Sequence, residues 1–547
     1  METRRARTGS GKSYYSMLAG GIAASILLSA CGGGGDNVAS IAPPSTPAAN
    51  IAQIDSGTIE GVIETGRVSF KGIPYAQAPV GNLRWKPPQP AKSWQGTRPA
   101  KQFGNDCMQT VTNANTVGTS EDCLYINVFK PTTAKPGDKL PVRVWIHGGG
   151  FAFGASSDPI YDNPGDPKEG IVYVNFNYRV NVFGFLAHPG LTAESPDKAS
   201  GNYGLMDQIA ALKWVRSNIA QFGGDPDNVT LNGESAGASS IGYLLVSPLA
   251  KGLFKRVIMQ STYGFHPQKT LAQAEQWSVQ RYGSDIAALR ALPASQLLKM
   301  NVPASGIAID APIYGNEDWE PNIDGLVLKK SIRQAWKDGD FSTADMMIGD
   351  NENEGYLFMM IRGPLVTPEQ KTVANFQSLL RSTYAESPEE ALSVYPVASD
   401  NDVLEQLSFA YGDAAFHNSS REMSRYMVTR TPNVYRYLFT KHSASPYMIN
   451  GKPVATHFDE VPYVFGGVST GEKYAPSDVA TSIAMQEAWR RFIKTGNPNG
   501  GKVVWPAYDA TDPHLEFGDA GQTIGAGHRN AALDLVLKHL DVIEPLH

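Results

Sequence analysis

The middle of the chain alternates between two hydrophobic periods. Residues 141–147 (P-V-R-V-W-I-H) and 171–178 (I-V-Y-V-N-F-N-Y) are short apolar runs that predict buried strands. From 203 to 222, Leu205, Ile209, Leu212, Trp214, Val215 and Ile219 recur at helical spacing. Two more strand-like runs follow, at 229–231 and 256–259. This strand–helix–strand order predicts an α/β architecture, with a large, mostly parallel, twisted central sheet and helices on both faces. Ligands in such sheets bind at the carboxyl ends of the strands.

Two glycine-rich segments sit at those ends. Gly233-Glu234-Ser235-Ala236-Gly237 follows the 229–231 run and opens a small-residue stretch that reads as a helix start. A serine in that setting predicts a nucleophile elbow, a tight turn whose flanking glycines avoid collision with the neighbouring strand and helix. The pentapeptide alone proves little, since a chain this rich in glycine should contain it roughly 0.4 times by chance. A second match, Gly467-Val468-Ser469-Thr470-Gly471, leads into a polar loop, and Ser469 is expected to be an ordinary loop serine.

His147-Gly148-Gly149-Gly150-Phe151 follows the first strand. Acyl transfer builds negative charge on an oxygen, and glycines let backbone N–H groups approach it closely. The residue after the nucleophile, Ala236, supplies a further N–H in such sites. A serine nucleophile also needs a base and an orienting acid, and where the serine sits on such an elbow the chain order is Ser, Asp/Glu, His. His266, His417, His442, His457 and His514 follow the elbow, leaving aside the extreme C-terminus. Periodicity alone does not choose among them.

Composition narrows the class. With 42% hydrophobic residues, 18% charged residues and a net charge of −6, the chain reads as a globular enzyme with no general nucleic-acid role. Arg4, Arg5, Arg7 and Lys12 precede an apolar run at 17–28, too short to span a membrane as a mature helix. The run ends in Leu28-Ser29-Ala30-Cys31, which resembles a bacterial lipobox in which Cys31 is lipidated. A plain cleaved secretion signal is the alternative. Gly32–Gly35 and a proline-rich stretch then read as a flexible tether. The expected organisation is an export signal at 1–30, a tether at 31–55 and one catalytic domain at 56–547. The expected location is the cell envelope of a bacterium, with secretion as the alternative. Of three cysteines, Cys107 and Cys123 remain, either as a disulfide or as two free thiols.

Longer motifs carry a family resemblance. Phe70-Lys71-Gly72-Ile73-Pro74-Tyr75-Ala76, Ser120-Glu121-Asp122-Cys123-Leu124-Tyr125-Ile126-Asn127-Val128 and 223–230 running into the elbow are similar to type-B carboxylesterases, the cholinesterase-like branch of the α/β-hydrolases. The resemblance extends from about Gly57 onward. It implies the α/β-hydrolase fold, a triad of Ser235, Glu354 and His457, and an oxyanion hole from Gly149, Gly150 and Ala236. It also implies a Cys107–Cys123 disulfide and a structural Arg84–Glu121 ion pair. Glu234 is expected to give electrostatic support beside the nucleophile.

Asp350 and Glu352 are expected to be solvated loop carboxylates, and Trp319 and Trp489 core residues. Asn232, Ala238 and Phe458 depart from the family's common pattern, and Phe458 is expected to narrow the pocket beside His457. The implied function is hydrolysis of a small carboxylic ester with no metal or organic cofactor. A thioesterase, amidase or carbamate hydrolase remains the alternative, as does a non-catalytic binding module. Substrate identity and oligomeric state are open, since the segments at 263–344 and 359–447 carry no readable motif.

Overall fold

In the computed structural model the described residues are 48–110, 116–162, 165–300, 319–361 and 371–546. Eleven strands make the central sheet. In chain order they are β1 (Val62–Glu64), β2 (Arg67–Pro74), β3 (Tyr125–Lys130), β4 (Leu140–Ile146), β5 (Val172–Phe176) and β6 (Gly224–Glu234), followed by β7 (Arg256–Gln260), β8 (Asp345–Asn351), β9 (Val434–Thr440), β10 (Pro513–Gly518) and β11 (Gly521–Ala526). Their spatial order is β11-β10-β9-β8-β7-β6-β4-β5-β3-β2-β1. The run from β5 to β10 is parallel, and both edges are antiparallel. The sheet is therefore mixed, with the expected parallel part at its centre.

The helices that bear on the site are α1 (Tyr203–Asn218), α2 (Ala236–Val246), α3 (Tyr356–Ile361), α4 (Asp400–Gly412), α5 (Asn418–Met427), α6 (Val461–Phe465), α7 (Pro476–Thr495) and α8 (Asn530–Ile543). Helices cover both faces because alternate strand residues feed two separate cores. Val142, Val144 and Ile146 of β4 join Val257 and Met259 of β7 in a core with Leu205, Ile241, Met423 and Leu535. Trp145 and Ile258 point the other way, into a core with Tyr437, Trp489 and Phe492. Trp319 and Trp489 are core residues, as expected.

Several expected boundaries move: β6 spans Gly224–Glu234 where 229–231 is expected, and β5 spans Val172–Phe176 where 171–178 is expected. The helix expected at 203–222 ends at Asn218 and tightens into a 3₁₀ turn, Ile219–Phe222. Gly223, at φ +85°, stops it with a left-handed residue that carries no Cβ penalty. The tether expected through 55 is too long. Ile51–Ile54 forms a strand paired with Gly57–Glu60, and the described residues from Ala48 onward form one compact unit. The buried Ala52 and Ile54 explain the pairing: they alternate toward the core in a segment whose flanks look polar. The export signal and Cys31 lie outside the described residues. Among the described residues, no helix is long and apolar enough to cross a membrane.

Candidate active site

β6 runs through the middle of the sheet, between β4 and β7. At its end the chain turns at Ser235, with φ +55° and ψ −125°, and enters α2. A non-glycine residue there is strained by about 1–3 kcal/mol, and the surroundings must hold it. The Ser235 N–H donates to the Gln260 carbonyl at 2.9 Å. The two glycines are required by contact. A Cβ on Gly237 would lie 2.0 Å from the Ile146 carbonyl oxygen, and one on Gly233 would lie 2.6 Å from the Gly237 carbonyl carbon. Ser469, the second pentapeptide match, is exposed on a loop between α6 and α7.

The glycine loop after β4 lies directly against this turn. A Cβ on Gly148 would be 2.7 Å from Glu234 Oε2 and 3.1 Å from Ser235 Cβ. Gly149 and Gly150 both take positive φ, +105° and +59°, and a Cβ on Gly149 would strike the Phe153 carbonyl at 2.3 Å. His147 anchors the loop. Its ring stacks on Tyr178 at 4.3 Å, and its Nδ1 donates to the Gly148 carbonyl at 2.9 Å. Burial pushes its pKa down to about 4, so the ring is neutral. Ala236 opens α2, where first-turn N–H groups have no intrahelical acceptor and the helix dipole favours negative charge.

Glu354 lies three residues beyond β8, and His457 lies shortly before α6. The fold joins them: Glu354 Oε2 is 2.6 Å from His457 Nδ1. The other carboxylate oxygen accepts from Ser261 Oγ at 2.7 Å and from the Asn351 N–H at 2.6 Å. Burial works to raise the Glu354 carboxyl, but the charge and hydrogen bond of His457 outweigh it and hold it below its ordinary value. Gly355 is glycine because a Cβ there would lie 1.9 Å from the Ser408 carbonyl on α4. Ser235, Glu354 and His457 are all buried.

The remaining nitrogen of the imidazole, Nε2, lies 3.1 Å from Glu234 Oε1. Among the described residues its polar contact is with Glu234, not with the Ser235 hydroxyl. Burial disfavours a charged ring, yet the carboxylates of Glu234 and Glu354 raise the His457 pKa to about 9. Burial pushes Glu234 up to about 8, against the pull of His457 and with Glu460 and Glu354 adding to it. Of the other histidines weighed from the sequence, three lie elsewhere. His266 faces Glu320, His442 faces Glu352 and Asp519, and His514 sits beside Asp512 and Arg436.

Several expectations are corrected here. Asp350 is not a solvated loop carboxylate: it is the penultimate residue of β8, buried, and accepts from Ser420 Oγ at 2.6 Å. Burial raises it to about 6. Glu352 is only partly buried, and it accepts the Ala455 N–H at 3.1 Å. Phe458 takes φ +77°, a left-handed conformation that a side chain rarely adopts, and packs with the Trp489 core. The rings against His457 are instead Phe358 and Phe416, at 5.0 and 4.8 Å.

Glu460, a sequence neighbour of His457 set aside as the orienting acid, nevertheless lies in the site. It is buried and raised to about 7, by burial first and Glu354 next, and it accepts from Gln260 at 3.0 Å and Asn351 at 2.7 Å. Asn232 joins the same network, donating to Gln260 Oε1 at 3.0 Å. Its polarity in a buried strand was the one signal in the sequence.

Away from the centre, Cys107 and Cys123 form a disulfide, and Arg84 pairs with Glu121 at 2.6 Å.

A model of the carboxylesterase family matches residues 48–536. The fumonisin B1 esterase of Sphingopyxis macrogoltabida is 38% identical over 491 residues, 87% of each chain. The para-nitrobenzyl esterase of Bacillus subtilis (strain 168) is 36% identical over 469 residues, 83% of this chain and 91% of its own. A solved PNB esterase structure is similar with a TM-score of 0.75 at 33% identity, across 89% of this chain and 100% of that one. With matches of this length in sequence and in fold, the chain belongs to the carboxylesterase family, built on the α/β-hydrolase fold.

Proposed function

We propose that Ser235 is the nucleophile of this carboxylic-ester hydrolase, with His457 as its base and Glu354 as the orienting acid. The observation that carries this is the 2.6 Å hydrogen bond between Glu354 and His457, made across 103 residues beside the strained turn at Ser235. As the substrate is engaged, His457 Nε2 moves from Glu234 to the Ser235 hydroxyl and takes its proton while Oγ attacks the ester carbonyl. The N–H groups of Gly149, Gly150 and Ala236 receive the oxyanion. The tetrahedral intermediate collapses, and Nε2 returns the proton to the departing alcohol, leaving an acyl-Ser235. Water then attacks the acyl carbonyl and gives its proton to Nε2, and as the second tetrahedral intermediate collapses Nε2 returns that proton to Ser235 Oγ and the acid is released. Glu354 holds the ring and stabilises its charged form throughout.

A fluorophosphonate probe followed by peptide mapping tests the assignment. Modification at Ser235, lost in Ser235→Ala, is expected. Labelling at Ser469 instead, or full activity in Glu354→Gln, overturns it. The relatives are named for esters as different as fumonisin B1 and a para-nitrobenzyl ester. A panel varying acid size, acid charge and alcohol size is the direct route to this enzyme's preference.

We infer further that residues 1–30 direct export and that Cys31 accepts a lipid in a bacterial envelope. The support is the basic start, the apolar run at 17–28 and Leu28-Ser29-Ala30-Cys31. Cys31→Ser is expected to release the enzyme from the membrane fraction; membrane retention of that variant overturns the anchor.

A further inference from the structure

A five-residue π-helical turn, Asp413–His417, joins α4 to α5. Such turns insert one residue into a helix and re-aim the side chains around it, and they recur at functional sites. Here the turn delivers Phe416 onto the His457 ring at 4.8 Å and places the next residue, His417, beneath the Glu354 turn. Gly412, just before it, packs close enough that a Cβ would lie 3.4 Å from Glu354 Cβ.

His417 is fully enclosed, and both ring nitrogens are engaged. Nδ1 is 3.0 Å from Asp413 Oδ1, and Nε2 is 2.9 Å from the Asn351 carbonyl oxygen. A carbonyl can only accept. Asp413 is equally unable to donate. Its Oδ1 accepts from Arg529 Nε at 2.6 Å, and its Oδ2 accepts from Arg529 Nη2 at 2.6 Å and from the Tyr395 hydroxyl at 3.0 Å. A ring facing two acceptors must carry both protons, so His417 is an imidazolium.

Asn351 is the node through which this charge acts. Its carbonyl takes the His417 bond, its N–H holds Glu354 Oε1 at 2.6 Å, and its amide nitrogen donates to Glu460 Oε2 at 2.7 Å. We propose that His417 is a positioning residue for the triad: a buried imidazolium that clamps the Asn351–Glu354 turn and offsets the negative charge gathered beneath His457. This rests on the Ser235–His457–Glu354 reading above. The ionisable groups facing the ring are Asp413 on the π turn, Asp350 on β8, Glu354 after it, and His528 with a ring centre 5.2 Å away; Arg529 is behind Asp413. Burial opposes charge on His417, and Asp413 and Asp350 raise its pKa in return. The same charge helps to hold Glu354 and Asp350 ionised.

The test compares His417→Ala and His417→Gln with the unsubstituted enzyme on a short-chain p-nitrophenyl ester. The alanine variant is expected to lose roughly 10- to 100-fold in kcat with little change in KM, since a misplaced acid harms the transition state more than substrate binding. Glutamine can still donate to the Asn351 carbonyl but carries no charge, so it should recover part of kcat. In both variants the acid limb of the kcat/KM profile should move to higher pH, because removing a nearby positive charge raises the His457 pKa.

An acid limb in His417→Gln that coincides with the unsubstituted enzyme's overturns the proposal, as does an alanine variant with unchanged kcat. If neither variant folds, neutron diffraction of the unsubstituted protein at pD 8 reads the ring directly. Deuterium on both nitrogens supports the proposal, and a singly protonated ring overturns it. Failure of Ser235 to label would sink the triad without touching the protonation of His417, so the two failures are distinguishable.

Discussion

The carboxylate of Glu234 lies 3.1 Å from Nε2 of His457, the nitrogen proposed to exchange a proton with Ser235. Glu354 holds the opposite side of the ring at 2.6 Å. The imidazole is thus set between two buried carboxylates, one on the residue adjoining Ser235. Both favour its charged form, which is the form the proposed mechanism creates.

Glu234→Gln removes one of the two. The His457 pKa, raised to about 9 with Glu234 as the largest raising influence, should fall. A base is active only when deprotonated, so the acid limb of kcat/KM should move to lower pH, by roughly one unit. A pH–rate profile checks this. An unmoved limb would mean that Glu234 does not control the base. The shift is opposite in sign to that expected for the His417 variants.

Gly237→Ala should be severely damaging. Its Cβ would sit 2.0 Å from the Ile146 carbonyl, and backbone atoms there cannot step aside without moving the end of β4 and the glycine loop that follows. A loss of about 100-fold in kcat/KM is expected. Gly242→Ala, in the same helix, is the control: its nearest neighbour is the end of the Met423 side chain at 3.2 Å, which can rotate. Parallel kinetics and melting curves separate the two.

Replacing Cys107 and Cys123 by serine opens a loop of 16-residue separation that lies outside the triad. Denaturant unfolding should report a loss of about 3 kcal/mol. Turnover under native conditions should be nearly unchanged. Loss of activity without loss of stability would show that the loop serves the site directly.

Asp413 should govern part of the acid stability. Burial alone would raise its pKa, but Arg529 and His417 depress it from 3.8 to about 2 in the fold. A depressed carboxylate stabilises above its unfolded pKa, and that contribution is lost as pH falls from about 4 toward 2. Its size is on the order of 2 kcal/mol. Asp413→Asn should therefore unfold more easily at pH 7, with a shallower further loss between pH 4 and 2. Denaturant midpoints across that range are the measurement.

Glycines and apolar periods made much of the site legible in advance. The elbow and the glycine loop announce themselves because each demands a local backbone that only certain residues adopt, and those residues stand together in the chain. The middles of strands β4 to β7 were legible for a similar reason, since a strand buried on both faces is mostly apolar, even with Arg143, Asn175 and Asn232 buried among the apolar residues. The edges of the sheet and the strand at Ile51–Ile54 were not: half-exposed or edge strands carry short, mixed patterns that resemble loops.

By itself, the sequence pointed to acyl transfer through the elbow and the glycine loop, because turn geometry and strand burial are written in adjacent residues; the proposed acid and base, Glu354 and His457, came only from the family resemblance. Only the tertiary structure decided the electrostatics. It buried Asp350 and Glu460, set Phe358 and Phe416 rather than Phe458 against His457, and put a charged His417 under Asn351. Those outcomes depend on contacts between residues tens to hundreds of positions apart. A carboxylate's pKa and an imidazole's protonation are set by what surrounds them in space, and no local pattern encodes that.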